Sequence, residues 1–329
     1  VSRMSLTPKE IPTGAVRYNT DSNKMEVYIG STWMEVSVSE STPIGARGLI
    51  GGADSGGNTI NYYTISTAGD AVDFGDLNNN VDFPASVASR TRGIWGGGRT
   101  PTNLDVIDFV TIATAGNALD FGNLTSAKRE MAGMGNQTRG LFCGETLGGS
   151  DDIEFVTISS TGNAIDFGNL SSARDGMAGF ASPTRGVVAG GEGASPYPAR
   201  DIIEFVTIAS EGNMVDFGNL GQAHWAVSGC SSPTRGIING SFNSGGSIQF
   251  ITIASTGNTQ EFGDWSNDSD SGASFSSSTR GLWAHGADNS TSTVQFVEFA
   301  TLGNGTDFGN STSVVYRSAG CSNAHGGLG

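Results

Sequence analysis

The chain carries few side chains suited to catalysis, and their spacing is wrong for it. Its three histidines, His224, His285 and His325, lie 61 and 40 residues apart. That is far from the i, i+4 spacing by which HExxH sets two imidazoles on one metal. No GxSxG elbow strains a serine nucleophile, and no GxxxxGK[ST] loop is present to cradle phosphate. Cys143, Cys230 and Cys321 are odd in number and form no CxxC pair. Neither a zinc site nor a disulfide framework is expected from them; they should pack as small apolar residues. Carboxylates are plentiful, 32 Asp and Glu in all, and a pair of them is enough to hydrolyse a glycoside. Most of them, however, recur at equivalent places along the chain, whereas a single catalytic centre should break a repeat. The expectation is a protein that is not an enzyme, with no catalytic, cofactor-binding or metal-binding residues.

The recurring charges call for a structural account. Arg-Gly opens an apolar run at Arg47, Arg92, Arg139, Arg185, Arg235 and Arg280, in steps of 45, 47, 46, 50 and 45 residues. Phe-Gly follows an acidic residue at Phe74, Phe121, Phe167, Phe217, Phe262 and Phe308, in steps of 47, 46, 50, 45 and 46. Two markers keeping one step define six repeats. The acids before the phenylalanines are Asp73, Asp120, Asp166, Asp216, Glu261 and Asp307. One cation and one anion per unit suggest a repeated Arg–carboxylate pair, or failing that a backbone contact by each Arg, fixing register between strands. A second polar position reads Asn61, Asp108, Glu154, Glu204, Gln249 and Gln295. All six can accept hydrogen bonds, which suits a polar position near the axis or a neighbouring backbone, not acid–base work. The recurring phenylalanines are expected in the core between units, each burying roughly 150–250 Å².

The elements that would position these residues are short strands. In one unit, Met177–Ala181, Arg185–Gly191, Ile202–Ile208 and Met214–Leu220 are apolar or β-branched runs, separated by turns such as Ser182-Pro-Thr and Glu211-Gly-Asn. No helical period is sustained over ten residues. Four strands per unit, repeated six times, predict an all-β fold: a six-bladed β-propeller in which stacked blades bury one another's faces and protect the sheet edges. The first repeat, from Arg47, lacks a first strand. Ser318–His325 supplies an extra one, so a velcro closure is expected, with the last strand completing the first blade. Residues 14–37 stand outside the repeat and read as a three-stranded β-meander, too small to be stable alone. The expected division is 1–40, an attachment or oligomerisation module, and 41–329, the propeller.

The units resemble kelch repeats. They have an Arg before the first strand (Arg129, Arg174) and a second strand ending in Gly-Gly at Gly51-Gly52, Gly96-Gly97 and Gly190-Gly191, with Phe in place of the kelch Trp. More specifically, Phe205–Asn213, Asp216–Leu220 and Ser232–Gly236 are similar to tandem repeats in predicted virion proteins of tailed, often marine, bacteriophages. Arg17–Thr20, Asn23–Tyr28 and Trp33 look like a short module of phage tail fibres. The resemblance implies a virion structural protein, either a fibre tip or a capsid or tail decoration, located at the virion surface and assembled in the host cytoplasm. Its N-terminal module would meet other virion proteins or form homo-oligomer contacts, and its propeller would meet virion partners or a host cell-surface receptor or glycan. Asp268–Phe275 resembles the Asp-box of sialidases, with the leading Ser replaced by Asp and the final Trp by Phe. The alternatives are therefore a sialidase-like glycan-active enzyme and a cellular kelch-type adaptor.

The net charge of −15, with 17 Lys and Arg, excludes a basic nucleic-acid face. No apolar run is long enough for membrane insertion, and Val1–Glu10 has no signal-peptide core, so cytoplasmic synthesis without export is expected. Variation between units concentrates after the second strands, in loops expected to share one surface. Arg99, Tyr197 and Phe242 are the candidate contact residues there.

Overall fold

A computed structural model describes residues 11–20, 24–35, 45–53, 57–145, 149–240, 246–266, 271–285 and 291–329. The chain divides into two compact units, Val1–Ile44 and Gly45–Gly329. Among the described residues the fold is all-β, in seven small antiparallel sheets of three or four strands; the only helical turn is a 3₁₀ turn at Gly326–Leu328.

In the first unit, β1 (Val16–Asn19), β2 (Lys24–Ile29) and β3 (Thr32–Glu35) form a meander. Alternation puts different chemistry on its two faces. On one face Arg17 pairs with Glu26 at 2.6 Å and its guanidinium lies 4.2 Å from the Trp33 ring centre, while Tyr28 packs against Trp33. The other face presents Val16, Tyr18, Met25, Ile29 and Met34, all exposed.

The second unit repeats one four-stranded sheet six times. The sheet built from Ala178–Ala181, Arg185–Ala189, Arg200–Thr207 and Val215–His224 is typical, with strands paired in sequence order. The strand beginning at Arg47 pairs instead with the last strand of the chain: Ala319 faces Gly51 and Ser322 faces Gly48. The strand at the other end of this sheet is Val72–Asp76.

The cores lie between sheets, because each sheet is apolar on both faces. Phe167 and Leu170 of the third sheet, for example, pack with Met177, Val188 and Ile208 of the fourth. A corresponding cluster joins each consecutive pair, and another joins the sixth sheet (Phe275, Leu282, Phe308) to the first (Ile50, Tyr63, Ile65). All six recurring phenylalanines are buried, and each meets the aromatic ring of its own third strand edge-on, 5.7–6.1 Å between centres. The glycine after each Phe also has a cause. Gly168 sits at φ +149°, and a Cβ there would strike the carbonyl oxygen of Gly212 in the next sheet's turn. That close approach lets the Gly212 N–H donate to the Phe167 carbonyl at 2.8 Å, and the same bond recurs at all six junctions, including Gly69 N–H to Phe308 O at 2.7 Å.

Candidate functional site

The sequence-predicted arginines all act between sheets. Each lies over the aromatic ring of its own third strand, as Arg185 does 4.6 Å from the centre of Phe205. Each also donates to a backbone carbonyl in the following sheet: Arg47 to Ile112, Arg92 to Ile158, Arg139 to Ile208, Arg185 to Ile253, Arg235 to Phe299 and Arg280 to Ile65. Of the two expected devices, the backbone contact is the one found at every Arg; the pair with the acid before the Phe is not, although Arg280 pairs with Glu298 at 2.7 Å and Arg139 lies 3.9 Å from Glu211. Asp73, Asp120, Asp166, Asp216, Glu261 and Asp307 are exposed on the fourth strands. A bulge there gives two residues opposite one, turning the Phe inward and the acid outward, away from the Arg.

The third-strand polar residues Asn61, Asp108, Glu154, Glu204, Gln249 and Gln295 are buried. Five of them accept the backbone N–H of the residue four places after the preceding sheet's Phe: Asn78, Thr125, Ser171, Gly221 and Ser266. Asn61 accepts the Thr312 hydroxyl. Burial pushes the Asp108 carboxyl above its ordinary range, against the hydrogen bonds from Asn78. Arg174 is buried against Glu204, and Lys128 lies 3.0 Å from Glu154. These residues hold sheets together; Gln249 also lines a cavity of about 280 Å³ with Gly221, Thr259 and Glu261.

The unassigned chemistry lies where each fourth strand crosses to the next inner strand. The inner strands are Ala85–Ala88, Ala132–Gly135, Ala178–Ala181, Ser228–Ser231, Ala273–Ser276 and Ala319–Ser322. Two residues before each stands Phe83, Glu130, Gly176, Ala226, Ser271 or Arg317, and all six have left-handed backbone, φ +49° to +61°. Their peptides form a cycle of hydrogen bonds. Phe83 N–H donates to Arg317 O, Glu130 to Phe83, Gly176 to Glu130, Val227 to Gly176, Ser271 to Ala226 and Arg317 to Ser271, at 2.7–3.4 Å. Glycine would adopt this backbone without cost, and any other residue there costs of order 1–3 kcal/mol. Five of the six positions nonetheless carry side chains, and no two match.

These residues rim a cavity of about 230 Å³. Its lining includes Trp225, which is 44% exposed, with Tyr316, Asp175 and Glu192. The Arg317 guanidinium lies 4.7 Å from the ring centres of both Phe83 and Tyr316, and 3.9 Å from Asp82. Glu130 pairs with Arg129 at 3.2 Å. Burial, and then the charge of Glu130, push the Glu192 carboxyl above its ordinary range. The floor is a waist of small residues, where Ser86 Oγ donates to Gly320 O and Ser274 Oγ to Gly229 O, both at 2.8 Å. At the far ends of the inner strands lies the C-terminal turn. His325 bonds the Ala88 carbonyl at 2.9 Å, and Arg90 bonds the Leu328 carbonyl at 2.8 Å. Between the waist and this turn lies a second cavity of about 60 Å³, which shares Ser86, Ser274 and Gly320 with the first and reaches His325.

Of the expected contact residues, Arg99 pairs with Asp82 at 2.5 Å, which ties its loop to the crossover beside Phe83. Tyr197 is exposed and does not line the cavity. Phe242 lies outside the described residues, as do Asp268 and Asp270 of the Asp-box-like segment. The sequence reading missed Phe83, Glu130, Trp225 and Arg317. The signal was available: aligned on the inner strands, this is a position where six otherwise similar units share no residue type. Among the described residues no group of three His, Cys, Asp or Glu could hold a metal ion, and no helix is long and apolar enough to cross a membrane. In comparisons with known proteins, no family model and no curated protein matches the chain.

Proposed function

We propose that residues 45–329 are a kelch-like six-bladed β-propeller sewn shut by the pairing of Ala319–Ser322 with the Arg47 strand, and that the chain is a structural protein of a tailed-phage virion. In this reading it is an appendage, either a fibre tip or a decoration, that presents the axial pocket to a host-surface or virion ligand. The closed ring is supported by junctions that recur six times with the same bonds, the sixth-to-first junction included. The single observation that carries the binding role is the cycle of left-handed residues. Five side chains are kept where glycine would be free of strain, and they differ where everything around them repeats. Placement on a virion rests on the resemblance of the repeats and of the Arg17–Trp33 segment to phage appendage proteins. The exposed face of Val16, Tyr18, Met25, Ile29 and Met34 would be the attachment surface.

The test is mass spectrometry of gradient-purified particles combined with antibody labelling in electron micrographs. The protein is expected in the particle in stoichiometric amounts, with label at a fixed site on its surface. Abundance in the infected lysate together with absence from purified particles would refute the virion assignment.

A further inference from the structure

We infer that the axial pocket takes an uncharged sugar ring, the end residue of a glycan, stacked on Trp225 and hydrogen-bonded between Arg317 on one side and carboxylates on the other. This deepens the binding role proposed above and rests on it, but not on the virion assignment.

The first argument is size. About 230 Å³ lies below the ~300–1,000 Å³ of pockets for drug-sized ligands. The cavity itself has room for one substituted ring. The opening lets the remainder of a chain lead outward.

The second argument is the aromatic inventory. Phe83 and Tyr316 already flank the Arg317 guanidinium. Trp225 has no such ring or cation contact among the described residues and is nearly half exposed. It is a large flat apolar face at the rim, suited to the C–H face of a sugar ring.

The third argument is the placement of charge. In the cycle of hydrogen bonds, Arg317 and Gly176 are three steps apart, so they face each other across the axis. Asp175 and Glu192 stand on the Gly176 side, joined by paired backbone bonds of 3.1 and 3.0 Å, and Glu130 is the next member of the cycle. Acceptors therefore line one side and a donor the other. An anion would meet the acids, and a cation would meet Arg317. A zwitterion would need both charges free, yet Arg317 has Asp82 at 3.9 Å and Glu130 has Arg129 at 3.2 Å. Hydroxyl groups donate and accept around a whole rim without adding charge, which matches a lining with acceptors on one side and a donor on the other. The raised Glu192 carboxyl agrees, since nothing in the lining favours its ionised form.

The experiment applies the full chain to an array of immobilised mono- and oligosaccharides. The free forms of any hits are then titrated by calorimetry beside glycine betaine, lysine and inorganic phosphate. At least one saccharide should be retained. Trp225→Ala should weaken it tenfold or more and Glu192→Gln severalfold, with melting temperatures unchanged, while Tyr197→Ala, on a loop outside the pocket, should leave it unaltered. Retention of no saccharide overturns the inference. So does retention that Trp225→Ala leaves intact, or a betaine, lysine or phosphate affinity exceeding that of every sugar. Saccharide binding that depends on Trp225, in a protein absent from particles, would uphold this inference while removing the virion assignment.

Discussion

If Arg185 staples one sheet to the next by its backbone contact, removing its guanidinium should cost far more than removing Asp216, the acid that sequence alone offers as its partner. Arg185→Met keeps most of the stem and deletes two interactions. One is a charge-assisted hydrogen bond to the Ile253 carbonyl at 2.9 Å, and the other is a cation–π contact at 4.6 Å over Phe205. The first is worth ~1.5–3 kcal/mol when protected and the second ~0.5–1 kcal/mol at a partly exposed site. Arg185 is half-buried, so water can reach the freed carbonyl, and about 2 kcal/mol is the working figure once that replacement is counted. For 150–250 residues, each kcal/mol lowers the melting temperature by roughly 2–4 °C. The 285-residue unit should sit at the lower end, giving a fall of about 4 °C. Asp216→Asn changes an exposed side chain and should stay within ~0.5 kcal/mol, or about 1 °C. Scanning calorimetry of the two single variants and the double variant decides the matter, with near-additive shifts expected because the residues share no bond. A fall for Asp216→Asn matching that for Arg185→Met, with the double variant no worse than either, would restore the ion pair and refute the carbonyl staple.

Gly168→Ala should destabilise by about 2–3 kcal/mol through its unfavourable φ and the displaced Gly212 turn, read as a lower urea midpoint; a shift near zero would mean the junction gives way easily. Removing residues 319–329 deletes the strand paired with Arg47–Ala53 and should abolish the cooperative thermal transition, so a truncated chain melting like the full one would contradict ring closure. Burial pushes the thiols of Cys143 and Cys321 up to about 12 and raises that of Cys230, so the native protein should be silent to a disulfide reagent at pH 8 and yield three thiols in guanidinium; fast reaction of any thiol in the native state would show local opening. Burial, partly offset by a hydrogen bond with Gln295, depresses His285 to about 4, whereas the unfolded imidazole titrates near ~6.5. Protons thus bind the unfolded chain first, and stability present above pH ~6.5 is lost as pH falls toward 4, by up to about 3 kcal/mol. His325 shifts in the same direction, while Asp108 and Glu192, whose values are raised, act oppositely, so the test is a difference: His285→Asn should lose less stability across that window than the parent, and parallel curves would exclude His285 as the cause.

The strands were legible because their signal is local. The run from Arg185 to Gly191 predicts a strand that is observed from Arg185 to Ala189, and the paired glycines then turn with φ of +69° and +96°. The Phe-Gly marker was equally visible, but its reason was not, since the atom that forbids a side chain at Gly168 is a carbonyl 44 residues away in the next sheet. Recurrence also misled. That Arg185 and Asp216 both repeat shows only that each meets the same surroundings six times, not that they meet each other; a bulge at Phe217 interrupts the register there, and its one trace in residue type, Gly218 within the strand, says nothing of which way the acid points. The pocket was hidden for the opposite reason. Phe, Glu, Gly, Ala, Ser and Arg at one aligned position resemble drift in a loop until the backbone shows all six in a conformation that penalises every side chain but glycine's absent one. In a repeat protein, what is common to all units is what the junctions demand, so it says little about a ligand. Variation on exposed, relaxed backbone says little too, because nothing opposes it. Variation held in place against strain, around a cavity, is the combination that drift alone would remove.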